Sequence, residues 1–336
     1  MLRVIDFGRV TPLRSQTLWH AVAYGVSAGQ PATLSFARPS GPYVCLDYLR
    51  DAAEVDGEFC RSRGLPVYRR MVGGGPVYLD DRQLFFQICV PASAVSPSRA
   101  SALRWLLEPA VAAFRAAGIA ARLDDDGEIC MGDQKICGHG AGQIEDAVVV
   151  CGNLIEAFDH ECATSVLALP DPVQRAETLR LMRRYVTATP ASPAVFCASL
   201  ADAYASVLGL RAGPGVLSRA ELASAADLDD RFSTAEWLAG PGRASRPGRQ
   251  GRQVKIRAGI WTFAAQTGSG ARVMASVVKG RLDRVALTAP GLNGQARLAE
   301  RALAGAPVSA AADVLSRFGG PGRELAAALA GAEGRL

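Results

Sequence analysis

The sequence predicts an α+β fold in which a large unit is followed by a smaller one. Strand-like patterns crowd the first half of the chain, whereas residues 159–238 are mainly helical in pattern, so strands and helices do not alternate regularly. Beyond a stretch rich in Gly, Pro and Arg, a second series of strands is again followed by helices. We therefore expect domains at 1–239 and 254–336, joined by a flexible basic linker at 240–253.

The elements of the large domain follow from apolar periodicity and turn residues. "LRVIDFG" alternates like a strand, and "SQTLWHAVAYGVSAG" then forms a helix with Ser15 as its expected N-cap. Later segments are predicted, in order, as short strands at "ATLSFA" and "YVCL", a helix "DAAEVDGEFCRSRG" ending at Gly64, a strand "PVYRRM" and a hairpin "PVYLDDRQLFFQICVP".

The longest predicted helix is "SPSRASALRWLLEPAVAAFRAAG", capped by serines, kinked at Pro109 and closed by Gly118. The chain continues with "IAARL", with two short apolar stretches in "EICMGDQKICG" and with an apolar strand "DAVVVCGNLI". The small domain is predicted as strands "KIRAGIWTFAAQ", "ARVMASVV" and "RLDRVALTA", followed by helices "GQARLAERALAG", "SAAADVLSRFGG" and "GRELAAALAG".

Composition narrows the class of protein. The net charge of +5 is mild, and most of the excess lies at 242–257, where no aromatic residue is interleaved for base stacking. This argues against nucleic acid as a partner. The eight cysteines lie in apolar runs without paired metal-ligand spacing, and no signal peptide or membrane-spanning run is evident. We expect a reduced, cytoplasmic protein without a membrane partner.

The first motif with chemical potential is "RRMVGGGPVYLDD", residues 69–81. Three consecutive glycines let a ligand approach the backbone, where exposed amides can bind phosphate oxygens and Arg69 or Arg70 can add a charged contact. The alternative is a Gly-rich hairpin with solvated arginines. The motif is neither a P-loop nor a dinucleotide-binding turn.

The second motif is "GDQKICGHG", which holds Lys135, one of three lysines in a chain with 37 basic residues. A compact ammonium with three donors suits a point contact with a phosphate or carboxylate oxygen, although an exposed turn lysine is the simpler alternative. His139 is either a general base, a phosphate contact or a structural residue. Cys137 and Cys162 are either core residues or, if their pKa values are lowered, thiolate nucleophiles.

These motifs resemble those of a known family. "RRMVGGGPVYLDD", then "GDQKICG", then "AVVVCGNLIEAFDHE" resemble, in order, the catalytic domain of the lipoate-protein ligase A family, which carries RR-x-x-GGG-x-V-x-HD and then G-x-K-[IV]-[SA]-G. "VVKGRLDRVALTA" and the helices after it resemble that family's small accessory domain. The resemblance implies a mixed-sheet α+β catalytic domain of the biotin and lipoate ligase superfamily, with a small C-terminal α+β accessory domain.

The resemblance also implies a two-step reaction. The carboxylate of lipoate or octanoate attacks the α-phosphate of ATP, with Mg²⁺, to give an acyl-AMP and pyrophosphate. A lysine of a lipoyl carrier protein then takes the acyl group. The linker would let the accessory domain reorient between the two steps.

By position, Lys135 matches the family's catalytic lysine, whose fixed charge would stabilise charge that develops in both steps. Arg70 and Gly75 match residues that contact the acyl-adenylate, and Val77 and Tyr78 match the strand that lines the acyl pocket. The acyl-adenylate site implied by the resemblance comprises Arg70, Gly73, Gly74, Gly75, Val77, Tyr78, Gly138 and His139.

Three departures from the family pattern stand out. Leu79-Asp80 replaces the His-Asp after the glycine loop, and Gly127-Glu128 replaces the Asn-Asp before the lysine. Glu128 would then take over the aspartate's role near the metal or nucleotide. His139 stands where the family has a small Ser or Asn, which would narrow the site or favour another acyl chain.

Two alternatives stay open at this stage. The first is an ATP-independent octanoyltransferase on the same fold, in which Cys137 or Cys162 takes an acyl group from acyl carrier protein. The accessory-domain resemblance favours the ligase over this enzyme. The second is a non-catalytic carrier-binding or nucleic-acid-binding protein, whose binding would depend on the linker arginines.

Overall fold

A computed structural model describes residues 1–96, 98–240, 251–292 and 294–333. The strands are β1 (Leu2–Val10), β2 (Thr33–Pro39), β3 (Tyr43–Leu46), β4 (Val67–Arg69), β5 (Val77–Leu79), β6 (Gln83–Pro91), β7 (Ala121–Leu123), β8 (Ile129–Met131), β9 (Gln134–Lys135), β10 (His139–Ile144), β11 (Ala147–Ile155), β12 (Ala212–Pro214), β13 (Gly251–Arg257), β14 (Ile260–Gln266), β15 (Arg272–Val278) and β16 (Arg281–Thr288). The helices are α1 (Arg14–Ser27), α2 (Gly57–Ser62), α3 (Arg99–Ala116), α4 (His160–Ser165), α5 (Pro172–Tyr185), α6 (Pro193–Val207), α7 (Arg219–Phe232), α8 (Ala235–Ala239), α9 (Ala296–Leu303), α10 (Ala311–Ser316) and α11 (Gly319–Glu333).

The chain divides into two compact units. The first comprises Met1–Ala168 and the described chain from Thr187 to Gly240, and the second comprises Leu169–Val186 and the described chain from Gly251 onward. The segment Leu169–Val186, which contains α5, therefore belongs with the C-terminal elements and not with the predicted 1–239 domain.

The predicted linker is only partly described. Residues 241–250 lie outside the described residues, so the expectation of a flexible linker stays a prediction there. Residues 251–253, which the sequence analysis assigned to the linker, form the beginning of β13.

A mixed sheet forms the centre of the first unit, with strand order β10-β11-β6-β2-β1-β12. β1 runs parallel to β2 and β12, and the other pairs are antiparallel. Successive residues of β6 point to opposite faces. Ile88 packs in the core formed with α3 and α6, whereas Cys89 packs in the core formed with α1. Helices on both faces explain why these strands are continuously apolar, and the predicted α+β class is confirmed.

Two of the local predictions for the first unit were wrong. α1 begins with Leu13 at the N-cap and without a side-chain cap, because the Ser15 hydroxyl is bound to Pro12 O (2.7 Å) and lies 2.8 Å from the Tyr43 hydroxyl. The segment 76–91 is not a hairpin: β5 pairs with β3, whereas β6 lies between β2 and β11. Because β6 has a partner on each side, it offers no open edge to β5.

Two three-stranded sheets carry the motifs. One has the order β4-β3-β5 and brings the strands on either side of the glycine loop to the same central strand. The other has the order β7-β8-β9, and its β8–β9 hairpin pairs Cys130 with Lys135 and Met131 with Gln134. The lysine motif is therefore a tight hairpin with a fixed register.

The second unit is built on the antiparallel sheet β13-β14-β15-β16. The predicted strand "KIRAGIWTFAAQ" is in fact two strands that turn at Ala258–Gly259. Its sheet packs an apolar core with α9, α10 and α11. α5 instead contacts the sheet through polar side chains. For example, the Thr178 and Thr262 hydroxyls lie 2.9 Å apart. No helix in the described part of the chain combines the length and apolarity needed to cross a bilayer.

Candidate active site

The β8–β9 hairpin fixes the backbone of Lys135. Next to it, Ile136 N donates to Ile129 O at 3.0 Å, which extends the hairpin. The carbonyl of Lys135 accepts from Thr187 N, also at 3.0 Å, at the point where the chain re-enters the first unit. Because its backbone is held on both sides, the lysine side chain starts from a defined position.

Lys135 forms a part-buried ion pair. Its ammonium lies 2.8 Å from Glu128 Oε2, and the side chains of Lys135 and Glu128 are 17% and 3% exposed. His139 Nε2 lies 3.4 Å from the same carboxylate oxygen. Burial by itself would raise the pKa of Glu128, but Lys135 and His139 outweigh it and hold that pKa well below its usual range. Glu128 is therefore an ionised carboxylate between two basic side chains.

This geometry explains the choice of lysine. An ammonium carries three donors on one small atom, so it can contact Glu128 on one side and an incoming anionic oxygen on another. An arginine at this position would instead present a wide planar fork of donors. Lys135 is thus placed to add positive charge at one point of a ligand.

In the glycine loop, Arg70 binds its own turn. Its Nη1 donates to Cys45 O at 2.9 Å, and its Nη2 donates to Gly73 O and Gly75 O at 3.1 and 3.2 Å. Gly74 has φ +134, and a Cβ there would lie 2.5 Å from Arg70 Nη2. The predicted contact of Arg70 with an acyl-adenylate stays a prediction. In this structure the guanidinium organises the loop.

The glycine loop and the lysine motif touch each other. Gly73 N donates to Ala141 O at 3.3 Å, and a Cβ built on Gly140 would lie 2.7 Å from Gly73 O. Gly140 and Ala141 belong to β10, whose first residue is His139. The fold therefore brings together the two motifs that the sequence singled out separately.

The predicted pocket strand β5 lies on the same side of the fold as α4. Tyr78 is buried, its hydroxyl interacts with the Cys162 thiol, and burial raises the pKa of both groups. Val77 pairs with Cys45 on β3. Cys162 is half-buried in the first turn of α4, where its amide donates to Asp159 Oδ1.

The other cysteines offer no activated thiolate. Cys137 is fully buried, its thiol lies 3.5 Å from Gly138 O, and burial raises its pKa to about 12. Burial raises the thiol pKa of Cys45, Cys60, Cys89, Cys137, Cys151, Cys162 and Cys197. Reactive cysteines usually have lowered pKa values in electropositive, partly exposed surroundings. These thiols have the properties of core residues.

The predicted metal ligand has other partners. The described residues contain no group of three or more His, Cys, Asp or Glu side chains that could hold a metal ion. Glu128, which the resemblance suggested for Mg²⁺, is engaged by Lys135 and His139. This donor set does not fit a metal held by the protein alone, so the Mg²⁺ role of Glu128 stays a prediction without structural support.

Sequence reasoning missed two polar residues that contact the motifs. Asn153 in β11 accepts from Gly138 N at 2.6 Å, and His20 in α1 accepts through Nε2 from Met71 N at 3.0 Å. Asn153 stands alone in the otherwise apolar strand "AVVVCGNLI", whereas His20 follows the buried polar residues Ser15, Gln16 and Thr17 in α1. A single buried polar residue in an apolar run needs a partner, and this was the available signal for Asn153.

A family of known proteins matches the part of the chain that carries the site. The family described as "Lipoyl protein ligase A/B catalytic domain" matches residues 21–188, half of the chain. The match covers the glycine loop, Lys135, Asn153 and Cys162.

Individual relatives are distant. The octanoyltransferase LipM of Kyrpidia tusciae is 24% identical over 267 residues, which cover 70% of this chain and 97% of that protein. A bi-partite lipoate protein ligase from Thermoplasma acidophilum, described with its E2 lipoyl domain, is 23% identical with a TM-score of 0.66, covering 73% of this chain and 98% of that chain. A lipoate-protein ligase A bound with ATP is 23% identical with a TM-score of 0.61, covering 71% and 98%. At these identities the structural likeness establishes a shared fold.

Proposed function

Because the chain belongs to the family of lipoyl protein ligase A/B catalytic domains, we propose that it attaches a lipoyl or octanoyl group to a lysine of a lipoyl carrier protein. The observation that carries the proposal is the Lys135 ammonium, held 2.8 Å from Glu128 in a part-buried site beside the glycine loop. A fixed charge in such a site stabilises negative charge that develops on a reacting oxygen.

We favour the ATP-dependent route within this activity. The acid's carboxylate oxygen would attack the α-phosphorus of ATP, so that an acyl-AMP forms and pyrophosphate leaves. The carrier lysine would then attack the acyl carbon, AMP would leave, and the amine would lose a proton to give the amide. The cysteine environments support this route, because it needs no protein thiolate and burial raises the pKa of the Cys137 and Cys162 thiols.

In this scheme Lys135 acts in both steps. Its ammonium lies near the acyl carboxylate while that oxygen attacks, and near the acyl-phosphate oxygens while AMP leaves. The Gly73 amide is bound to Ala141 O, so phosphate contacts from the glycine loop would fall to Gly74 and Gly75. Mg²⁺ would supply charge neutralisation on the ATP phosphates.

A second candidate is an ATP-independent octanoyltransferase, which the name of the Kyrpidia tusciae relative favours. Its thiolate would attack the thioester of an octanoylated acyl carrier protein, release the carrier thiol and pass the octanoyl group to the lysine. Cys162 is the better candidate nucleophile, because it is half-buried at the start of α4 whereas Cys137 is fully buried. Ligand binding would have to lower its pKa.

One assay separates the two routes. A lipoyl carrier domain is incubated with the protein, Mg²⁺ and free lipoate or octanoate, with and without ATP, and in parallel with octanoylated acyl carrier protein without ATP. Intact-mass spectrometry then measures acylation of the carrier lysine. We expect a mass gain with free acid that requires ATP. Transfer from the acyl carrier protein alone would establish the octanoyltransferase, and no acylation under any condition would refute both.

Matched cysteine variants sharpen the outcome. In the ligase, Cys162→Ser and Cys137→Ser retain the rate of ATP-dependent acylation within about threefold, since no covalent bond to sulfur forms. In the transferase, one of the two variants loses transfer entirely and no acyl-enzyme accumulates. Mass spectrometry of the enzyme itself detects that thioester.

A further inference from the structure

Asn153 is a buried amide in an apolar strand, and both ends of its side chain are bound. It is 7% exposed on β11. Its Oδ1 accepts from Gly138 N at 2.6 Å, and its Nδ2 donates to Gln83 Oε1 at 2.8 Å. Gln83 lies on β6, the neighbouring strand. The side chain therefore links the centre of the sheet to the lysine motif.

The partners of Gln83 fix which way the Asn153 amide points. Gln83 Nε2 faces Asp80 Oδ1 at 3.4 Å, and the Asp80 carboxylate also accepts from Arg82 N at 3.1 Å and from Arg82 Nη2 at 2.8 Å. A carboxylate accepts only, so the amide nitrogen of Gln83 must face it and its oxygen must face Asn153. The oxygen of Asn153 is consequently directed at Gly138.

Gly138 is the residue at which the lysine hairpin passes into β10. It follows Lys135 by three positions and directly precedes His139, which pairs with Gly152 on β11. Its amide is held by Asn153, so a shift there would move His139 and alter its 3.4 Å approach to Glu128. This hydrogen bond therefore fixes the end of the hairpin next to His139, whereas other backbone bonds hold Lys135 itself.

We propose that Asn153 is a positioning residue for the acylation site: through the Gly138 amide it sets the placement of His139 relative to Glu128 and Lys135. This inference rests on the proposed function, because it assigns a role in that reaction. Asn153 touches none of the three side chains in the contacts seen, so its effect is exerted through the backbone.

The same sheet offers a matched control. Like Asn153, Gln87 has a buried side-chain amide, but it lies on β6. It is 2% exposed, and its Oε1 accepts from Ser35 Oγ at 3.0 Å. Ser35 belongs to β2, which is separated in the sheet by β6 and β11 from β10, the strand that continues from the lysine hairpin. Removing either amide costs a buried hydrogen bond, but only removal of Asn153 alters the Lys135 site.

The test compares Asn153→Leu, Asn153→Asp and Gln87→Leu, using carrier acylation kinetics and urea unfolding. We expect Asn153→Leu to lower kcat about 10- to 100-fold with KM changed less than about twofold, as a small misplacement of a catalytic group does. Gln87→Leu should lower the urea midpoint comparably and retain kcat. Asn153→Asp keeps an oxygen for Gly138 N but places its second oxygen against Gln83 Oε1, so it should recover only part of the lost rate.

Equal kcat values for Asn153→Leu and Gln87→Leu would overturn the inference. If Asn153→Leu does not fold, Gln83→Leu removes only the partner that orients the amide, and we expect a smaller loss of kcat in the same direction. Wild-type protein that acylates no carrier would refute the proposed function instead. In that case, amide hydrogen exchange measured by NMR tests the positioning role. The amides of Gly138 and His139 should exchange faster in Asn153→Leu than in wild type, and at the wild-type rate in Gln87→Leu.

Discussion

At the scale of single residues, the charge on Lys135 is the most direct test of the chemistry. Lys135→Ala removes the ammonium that lies 2.8 Å from the buried Glu128 carboxylate. We expect carrier acylation to fall by about 100-fold or more, the usual effect of removing one group that stabilises a developing oxyanion. Intact-mass assays of the carrier under single-turnover conditions measure the rate.

The chain supplies a matched control for that substitution. Lys279→Ala removes an exposed lysine from the turn between β15 and β16 and should leave the rate unchanged. Comparing the urea midpoints of the two variants separates loss of chemistry from loss of folding. Equal acylation by Lys135→Ala and wild type would show that the Lys135 ammonium does not carry the chemistry.

His20 supports the glycine-loop motif as a neutral imidazole. Its Nδ1 donates to Gln16 O at 2.7 Å, and its Nε2 accepts from Met71 N, so the ring can be held only without a second proton. Burial, with Arg70 and Arg231 nearby, lowers the pKa of His20 to about 3. The usual value is 6.5, so the unfolded chain binds a proton here between these two pH values and the folded chain does not.

The consequence is a defined pH dependence of stability. The contribution of His20 is fully present above pH 6.5 and is lost as the pH falls toward 3. The loss should be about 1.4 kcal/mol per pH unit. His20→Gln does not titrate, so the difference in unfolding free energy between wild type and variant should shrink at that slope. Urea unfolding at pH 7.5, 6.5 and 5.5 measures it, and a constant difference would contradict the assignment.

At the scale of elements, the contact between β10 and the glycine loop permits no side chain. Gly140→Ala would place its Cβ 2.7 Å from the backbone oxygen of Gly73, which cannot rotate away. We expect a loss of about 1 to 3 kcal/mol in unfolding free energy and slower acylation, since both motifs move. Gly41→Ala, which has nothing within 4 Å of its Cβ, is the control and should be nearly neutral. Equal urea midpoints for the two variants would contradict this contact.

Elements with strong local signals were predictable from sequence. α3 begins after the Ser98 cap, and the apolar strands β6 and β11 lie where continuous apolar runs indicated strands. The predicted hairpin at 76–91 failed because strand pairing depends on which edges are open elsewhere in the fold. That information is not local.

The candidate site likewise contains parts that the sequence predicts and parts that depend on the fold. Lys135 and the glycine loop could be identified because each has a motif of its own. The contacts of His139 with Glu128 and of Asn153 with Gly138 join residues through hairpin register and sheet order. Such contacts follow from the fold and not from spacing along the chain.

At the scale of the whole molecule, the second unit is discontinuous in sequence. α5 lies between α4 and α6 of the first unit in the chain, yet Gln174, Glu177 and Thr178 are buried among residues of the second unit. A chain ending at residue 240 would keep α5 and lose the sheet that covers this polar face.

That truncation tests the division of the chain. We expect amide hydrogen exchange across 172–185 to rise by about 10-fold or more, because α5 loses its partners, while 83–91 in the centre of the large sheet stays protected. Exchange measured by mass spectrometry on both chains provides the comparison. Unchanged protection of 172–185 would show that α5 is stable without the second unit.

The ion pair of Lys135 has a consequence for chemoselectivity. An enzyme that generates an activated acyl group must avoid acylating its own amines. The amine nearest to the acyl carbon is the one most exposed to this side reaction. The nitrogen of Lys135 lies 2.8 Å from the Glu128 carboxylate, and this ion pair occupies the amine that would otherwise be nearest to the acyl carbon. The other two lysines of the chain, Lys255 and Lys279, belong to the second unit and not to the unit that carries the site. In the proposed reaction, the ion pair with Glu128 would therefore disfavour acylation of Lys135 itself.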